Sequence, residues 1–395
     1  MGSWSYNPWE PEVLADPYPA YRRLRDESGC HHNDALGFYV LSRFQDVSAA
    51  LRDHVRLSSA DGVGLLVEND LTLVGQDPPA HTKARRLATH PFTRQGLAGH
   101  AETMSDEVER LITRAIASGT VDVVEQIADP FVTSTLGRVF GMPDPDARAW
   151  LAGSNLVFDR ICARDEPFDL AASQVMLDVF TGIDAVVEAR KISGQTGPGD
   201  IVDAVIARAT PDADGWRLSR GPRALFVGSL IAPGLQTTRH MVSSGFALIG
   251  AFPDEWRRVR EGEVDVELFV EEILRYEPPI QGFFRATREP VTVDGAEIPA
   301  GGRVLVLFAS ANRDERVFSN ADRFRVDRTS AENVSFGAGI HYCLGAGLAR
   351  MEASALFGAL RERVAQVELI ESGAVRSTQA LLRGWARLPV TLHAD

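Results

Sequence analysis

The segment Phe336-Gly337-Ala338-Gly339-Ile340-His341-Tyr342-Cys343-Leu344-Gly345 constrains this chain more than any other. Glycines at 337 and 339 permit tight backbone turns beside the cysteine, because they carry no Cβ. A helix-like run from Ala346 to Val364 follows at once. A cysteine at a helix N-terminus meets the positive end of the macrodipole, which lowers the thiol pKa. Gly345 leaves room for a flat group over the first helical turn. A deprotonated sulfur, held by backbone N–H groups beside open space, is what a thiolate ligand to the iron of a macrocycle requires. Thiolate donation to that iron favours O–O cleavage. The same residues also suit a buried structural cysteine beside a glycine-rich loop. Zinc would need further Cys or His at ligand spacing, which His341 and Cys343 alone do not supply.

The surrounding chain reads as mainly α with small β-sheets. Val108, Leu111, Ile112, Ala115 and Ile116 recur at helical spacing, and Gly119 stands where that helix should stop. Similar segments fall near 16–27, 44–54, 124–140, 144–158, 173–191, 265–276 and 344–364. Strands are expected at Phe38 to Leu41, Val291 to Val293, Gly302 to Phe308 and Leu388 to His393, with a turn at Asp294-Gly295. Ser193 to Asp200 reads as a surface loop. No repeat or composition shift divides the 395 residues, so a single domain over 1–395 is expected.

A formal charge of −13 argues against a nucleic-acid partner. Three cysteines, Cys30, Cys162 and Cys343, make no disulfide framework and suit a reducing cytoplasm. The start of the chain carries neither a signal-peptide pattern nor a membrane anchor. The long apolar stretch Ala224 to Phe252 is interrupted by Pro233, Gln236, Thr237, Thr238, Arg239 and His240. Those groups are expensive in hydrocarbon, so a buried helix is the expectation and no membrane is.

The decapeptide resembles the haem-binding loop of the cytochrome P450 family at Phe336, Gly337, Gly339, His341, Cys343 and Gly345. The likeness runs in family order from Asp16-Pro17-Tyr18-Pro19 to Leu388-Pro389. It implies the P450 fold, with haem b between a long central helix and the cysteine helix, and Cys343 as the axial iron ligand. Glu272 and Arg275, three apart and so on one helix face, are similar to the family's Glu-x-x-Arg pair. Arg323 looks like its third partner, in a structural network. Asp77 to Arg86 resembles the segment that contacts the haem propionates. By that likeness His81, Arg85, Arg285 and His341 supply four propionate donors.

Ile231-Ala232-Pro233-Gly234-Leu235-Gln236-Thr237-Thr238 resembles the family's oxygen-activation motif, but departs from it twice. Gly234 and Thr237 match. Pro233 replaces a small residue and removes the helical bond to the carbonyl of Ser229, so a kink is expected. Gln236 replaces an acid and cannot ionise. Protons then need another route, through Thr237, water or a substrate group.

The resemblance implies a monooxygenase acting on a small hydrophobic substrate, with electrons from a separate ferredoxin and its reductase. Three cysteines cannot hold a four-cysteine cluster, so no iron–sulfur module is expected within the chain. Lys83, Arg86 and Arg94 are docking candidates. Ser229, Ala232, Gln281, Phe283 and Leu382 are expected to line the pocket, under a lid formed by the loop Asp61 to Asp70 and the helices around 155–190. Two rivals stay open: a peroxygenase of the same fold, favoured by Pro233 and Gln236, and a haem-thiolate sensor without turnover.

Overall fold

The fold is that of a computed structural model, which describes residues 4–66, 73–142, 146–165, 170–194, 199–208, 220–328 and 333–394. Residues 67–70 of the expected lid loop and 195–198 of the expected surface loop lie outside that set.

One helix, Arg220–Ala251, runs through the middle of the protein. Its apolar residues are spread around the whole circumference, as a helix buried on all sides requires. Helices Asp129–Phe140, Ala147–Ile161 and Leu170–Ser193 pack on it, and so do Val266–Tyr276 and Ala346–Arg363. Close approach is bought with small residues: a Cβ on Gly234 would meet Leu136 at 2.9 Å, and one on Gly245 would meet Phe357 at 2.2 Å. Phe246, Phe269, Phe324 and Phe357 then fill the main core, with Phe269 edge-on to Phe357 at a centroid distance of 5.2 Å. Among the described residues no helix is long and apolar enough to cross a membrane.

Helix ends follow the local chemistry. The helix Ala101–Ser118 stops at Gly119, whose φ is +72°. Asp294 and Gly295, both at positive φ, close a two-residue hairpin between Val291–Val293 and Ala296–Ile298.

The larger sheet runs Cys30–Asn33, Phe38–Leu41, Arg303–Val306, Phe283–Thr287, Leu57–Ser58. Phe38–Leu41 pairs parallel to Arg303–Val306, with Phe38 opposite Arg303 and Leu41 opposite Val306. The expected strand Gly302 to Phe308 is therefore shorter, and its neighbours are the N-terminal strand and Phe283–Thr287 rather than the adjacent hairpin. The expected C-terminal strand is Pro389–Ala394, set between Thr120–Asp122 and Val364–Leu369. Both sheets lie at the margins of the helical body. Their role at the site is to aim the strand Phe283–Thr287.

Candidate active site

Cys343 lies on a loop that is pinned at both ends. Gly337 and Gly339 each sit at a φ of +69°, where a side chain would strain the backbone. A Cβ on Gly339 would also meet the carbonyl of Leu51 at 2.8 Å. The Cys343 N–H donates to the Phe336 carbonyl at 2.8 Å. Upstream, Asn312 accepts from the Val334 N–H at 2.8 Å and donates to Ser335, whose hydroxyl donates to the Leu274 carbonyl at 2.6 Å. The loop is thereby fastened to the end of helix Val266–Tyr276.

The sulfur faces an internal cavity and is surrounded by protein on its other sides. Burial pushes its thiol up, opposed by the Gly345 N–H and by Arg85 and Arg350. This corrects the expectation of a pKa lowered by the helix. The cysteine precedes the first helical residue, Ala346, and desolvation outweighs the dipole there. A bound metal ion would supply the missing charge and deprotonate it.

The cavity holds about 240 Å³ and is walled on one side by the central helix. Ser229, Leu230, Pro233, Gly234, Thr237, Thr238 and Met241 line it, a sequence of positions that shares one helix face. Ala232 and Gln236 fall on the opposite face. Both are buried and turned towards helix Ala147–Ile161: the Ser154 hydroxyl donates to the Ala232 carbonyl at 2.6 Å, and the Gln236 amide donates to Asn155 Oδ1. Neither lines the cavity, so helical geometry corrects the expected pocket contact of Ala232 and turns Gln236, a candidate by its place in the oxygen-activation motif, away from the pocket.

The helix continues through Pro233 without interruption. Thr237 Oγ1 donates to the Pro233 carbonyl at 2.7 Å. That engages the threonine's proton and leaves its oxygen as an acceptor beside the cavity. Asn155→Leu would strip Gln236, whose Oε1 has no hydrogen-bond partner, of the acceptor for its amide N–H. A loss of about 1–3 kcal/mol is expected, readable by urea unfolding.

A rim of two arginines and two hydrogen-bonding histidines lies opposite the apolar wall. Arg85, Arg285 and His341 line the cavity, and His81 stands behind His341 with ring centroids 4.6 Å apart. Burial and the neighbouring Arg285, His81 and Arg85 drive the His341 pKa down to about 3. Burial alone is the main reason Arg285 falls to about 10. Nε2 of His81 and Nε2 of His341 are buried without a partner among the described residues. Unpaired donors and uncompensated positive charge at a cavity edge fit a group that brings carboxylates. Gly345 completes the fit, since a Cβ there would meet nothing within 4 Å. These residues fit a haem with its propionates on the rim. His54, which adds positive potential to both histidines, was not legible in the sequence, because it reaches them from a different helix end.

Glu272 and Arg275 form a buried, two-pronged pair at 2.7 and 2.8 Å. The third cation is Arg328, 3.1 Å from Glu272, and this corrects the assignment of Arg323. Arg323 contributes its carbonyl to Arg275 at 3.1 Å, while its side chain is exposed. Phe324 turns into the core, while Arg323 sits in a turn closed by its N–H on the Asn320 carbonyl at 2.9 Å and faces solvent.

Phe283 lines the cavity as expected, but Gln281 and Leu382 do not. Gln281 accepts from the Tyr21 hydroxyl at 3.1 Å and donates to the Pro278 carbonyl at 2.7 Å, in a buried cluster that also holds Leu382. Gly282 sits with its backbone against Val306, whose carbonyl lies 2.5 Å from where a Cβ would be. Ile280 takes the cavity position instead. Val63, Phe158 and Ile161 close the far end, so both expected lid segments border the cavity where they are described. Glu352, on the cysteine helix, also lines it. Nothing in its local sequence distinguished it from a helix-surface charge.

A family model described as "Cytochrome P450" matches residues 266–364. Beta-dihydromenaquinone-9 omega-hydroxylase of Mycobacterium tuberculosis is 32% identical over 98% of this chain and 78% of its own length. The chain belongs to the cytochrome P450 family. Cytochrome P450 130 of M. tuberculosis is 31% identical over 94% of both chains. The crystal structure of cytochrome P450 CYP109Q5 from Chondromyces apiculatus superposes with a TM-score of 0.84, at 26% identity and 99% coverage of each chain. As a P450 this protein is a haem-thiolate, oxygen-incorporating monooxygenase that takes a haem-iron cofactor.

Proposed function

We propose that this P450, acting as one domain over 1–395, inserts one atom of O₂ into a small hydrophobic organic molecule. The observation that carries the reading is the apolar cavity shared by Cys343 and Thr237. Haem b would be held by the Cys343 thiolate, by contacts from Phe336, Gly337 and Gly345, and by Arg85, Arg285, His341 and His81 as donors to its carboxylates. That group supplies the redox chemistry of dioxygen activation.

The chain's own residues place the substrate and manage protons. Leu230, Ile280, Phe283, Phe158 and Phe308 exclude water and give the substrate an apolar wall. Ser229 adds a hydroxyl that can orient a polar end. Gly234 lets Leu136 close against the central helix beside the cavity. The Thr237 oxygen, with its own proton spent on the Pro233 carbonyl, accepts a hydrogen bond from cavity water and so holds a proton donor in place.

Electrons would come from a separate ferredoxin and its reductase. Arg86 and Arg94 are exposed, and Lys83 is half-buried on the same side. The segment carrying Arg94 packs through Phe92 and Leu97 against Gly347, at the start of the cysteine helix. Charges there favour an acidic partner close to the ligand loop. Free, buried Cys30 and Cys162 agree with work in the reducing cytoplasm.

The test is turnover under ¹⁸O₂ with a panel of hydrophobic compounds, chosen by substrate-induced change in the haem absorption spectrum. One ¹⁸O atom per product molecule is expected. Label arriving only from hydrogen peroxide would transfer the protein to the peroxygenase reading. Binding without any product, under a competent electron supply, would leave the sensor reading.

A further inference from the structure

The far end of the cavity is closed by Phe158 and Ile161, on the last turn of helix Ala147–Ile161, and by Val63 of the facing loop. The two walls meet on backbone: a Cβ on Gly64 would lie 2.5 Å from the Ile161 carbonyl. The loop side is firmly held, since Arg303 of the larger sheet donates to the carbonyls of Asp61, Gly62 and Gly64. The helix side is held unevenly. In its middle, Ser154 bonds the Ala232 carbonyl and Asn155 accepts from Gln236. The last turn lies beyond both anchors, and its carbonyls have no partner within the helix.

One of those carbonyls is bonded from a distant segment. The Trp9 indole N–H donates to the Cys162 carbonyl at 2.7 Å, between positions 153 apart in the chain. Its ring packs on the apolar cluster that holds Val63, Phe158, Ile161 and Cys162, edge-on to Phe38 at 6.3 Å. The segment carrying Trp9 is in turn tied to the sheet. Asn33 donates to the Tyr6 carbonyl at 2.8 Å, and the Tyr6 N–H donates to His31 Nε2 at 3.2 Å. Gln379 also donates to Asp159 on the last turn, at 2.6 Å, but that pair is exposed and water can replace it. Packing alone asks for any large apolar ring at position 9. The indole N–H adds a polar bond between a sheet-bound segment and the cavity wall that lies past the central-helix anchors.

We propose that Trp9 is the strap that holds the end of helix Ala147–Ile161 shut over the cavity. A ligand of substrate size enters or leaves when the indole bond to Cys162 breaks and the last turn swings out. Opening and closing form a two-state balance that this bond biases. A single hydrogen bond shifts such a balance by about fivefold. Trp9 does not line the cavity, so the bond is the same whether the cavity is empty or filled. Its loss therefore speeds entry and exit by one factor and leaves affinity unchanged. The proposal stands on the cavity and its haem, not on turnover.

The test uses ferric, haem-loaded protein with phenylimidazole as the probe, its binding followed in stopped flow by the shift of the haem band. Wild type is compared with Trp9→Phe and with protein in which Trp9 is replaced by benzothienylalanine. The latter keeps the shape of the indole and has sulfur in place of the N–H. Trp4→Phe is the control, because Trp4 lies on the same segment but packs against His31 and Arg23. Association and dissociation rates are each expected to rise about fivefold in both position-9 proteins, with the dissociation constant unchanged. Trp4→Phe should match wild type. Cyanide is small enough to pass without displacing the helix, and should bind at the wild-type rate throughout.

Probe rates equal to wild type in the benzothienylalanine protein would overturn the strap, whether or not Trp9→Phe folds. A rise in dissociation alone would also overturn it, since that marks a lost ligand contact. So would an equal rise in cyanide binding, the sign of a generally loosened pocket. Wild type that forms no oxygenated product would overturn the proposed function, a separate outcome.

Discussion

Cys343→His is expected to give a folded protein that still takes up haem but lacks the red-shifted ferrous–CO band of a thiolate complex. Product formation should fall to the level of a protein-free control. The fold should survive because the loop is held by backbone and by other side chains. The 343 N–H bonds the Phe336 carbonyl, and Asn312 and Ser335 anchor the upstream strand of the loop. The sulfur itself faces the cavity and fills no core position. Imidazole can bind the iron, yet it does not donate electron density as a thiolate does, and O–O cleavage depends on that donation. The checks are the reduced-minus-reduced-CO difference spectrum and a product assay. A retained thiolate band would place the ligand at another cysteine. Cys30 and Cys162 are poor alternatives, since burial pushes their thiols up to about 11 and about 12 and neither lines the cavity.

Arg275→Met is the substitution expected to cost most in stability, about 3–5 kcal/mol. Arg275 does more than neutralise Glu272. It also donates to the carbonyls of Asn312 at 2.9 Å and Ala321 at 2.8 Å, and to that of Arg323. Its removal strands a nearly dry carboxylate, 2% exposed at the side chain, and takes a donor from three carbonyls, of which that of Arg323 keeps Arg328 at 3.1 Å. Arg328 remains as a partial partner for Glu272. The double variant Glu272→Met, Arg275→Met removes the stranded charge but leaves the Asn312 and Ala321 carbonyls without the Arg275 donor. It should recover only part of the loss. Because Asn312 also holds the ligand loop through Val334 and Ser335, haem content should fall together with stability. Urea unfolding followed at both the haem band and tryptophan fluorescence measures the two effects. Full recovery in the double variant would show that the charge alone carried the cost.

The parts of the site that were legible in the sequence are those decided by local backbone chemistry. Gly337 and Gly339 mark positive φ, Gly119 ends its helix, and Asp294-Gly295 closes a hairpin. Each follows from a residue and its immediate neighbours. The central helix could be read from an apolar run, and helical arithmetic alone sets Gln236 apart from Thr237. What was misread lay across irregular backbone or between distant segments. Gln281, placed in the pocket by its position after the Pro-Pro stop, bonds Tyr21 instead, and a turn sends the Arg323 side chain to solvent. Strand partners were equally hidden, since Phe38–Leu41 finds Arg303–Val306 far away along the chain.

The sequence by itself pointed to the family, and it singled out Cys343 as the expected iron ligand and His81, Arg85, Arg285 and His341 as the expected donor set, because most of those residues sit in motifs whose spacing is short and whose backbone demands are local. Only the tertiary structure decided which side chains share the cavity over that cysteine. It placed Ile280 there rather than Gln281, gave Glu272 to Arg328, and turned Gln236 towards Asn155. It also set Glu352, without a cation, against Thr238. The physical reason is that the direction of a buried polar side chain is fixed by what other segments leave uncompensated, and that is a property of packed elements rather than of any stretch of chain.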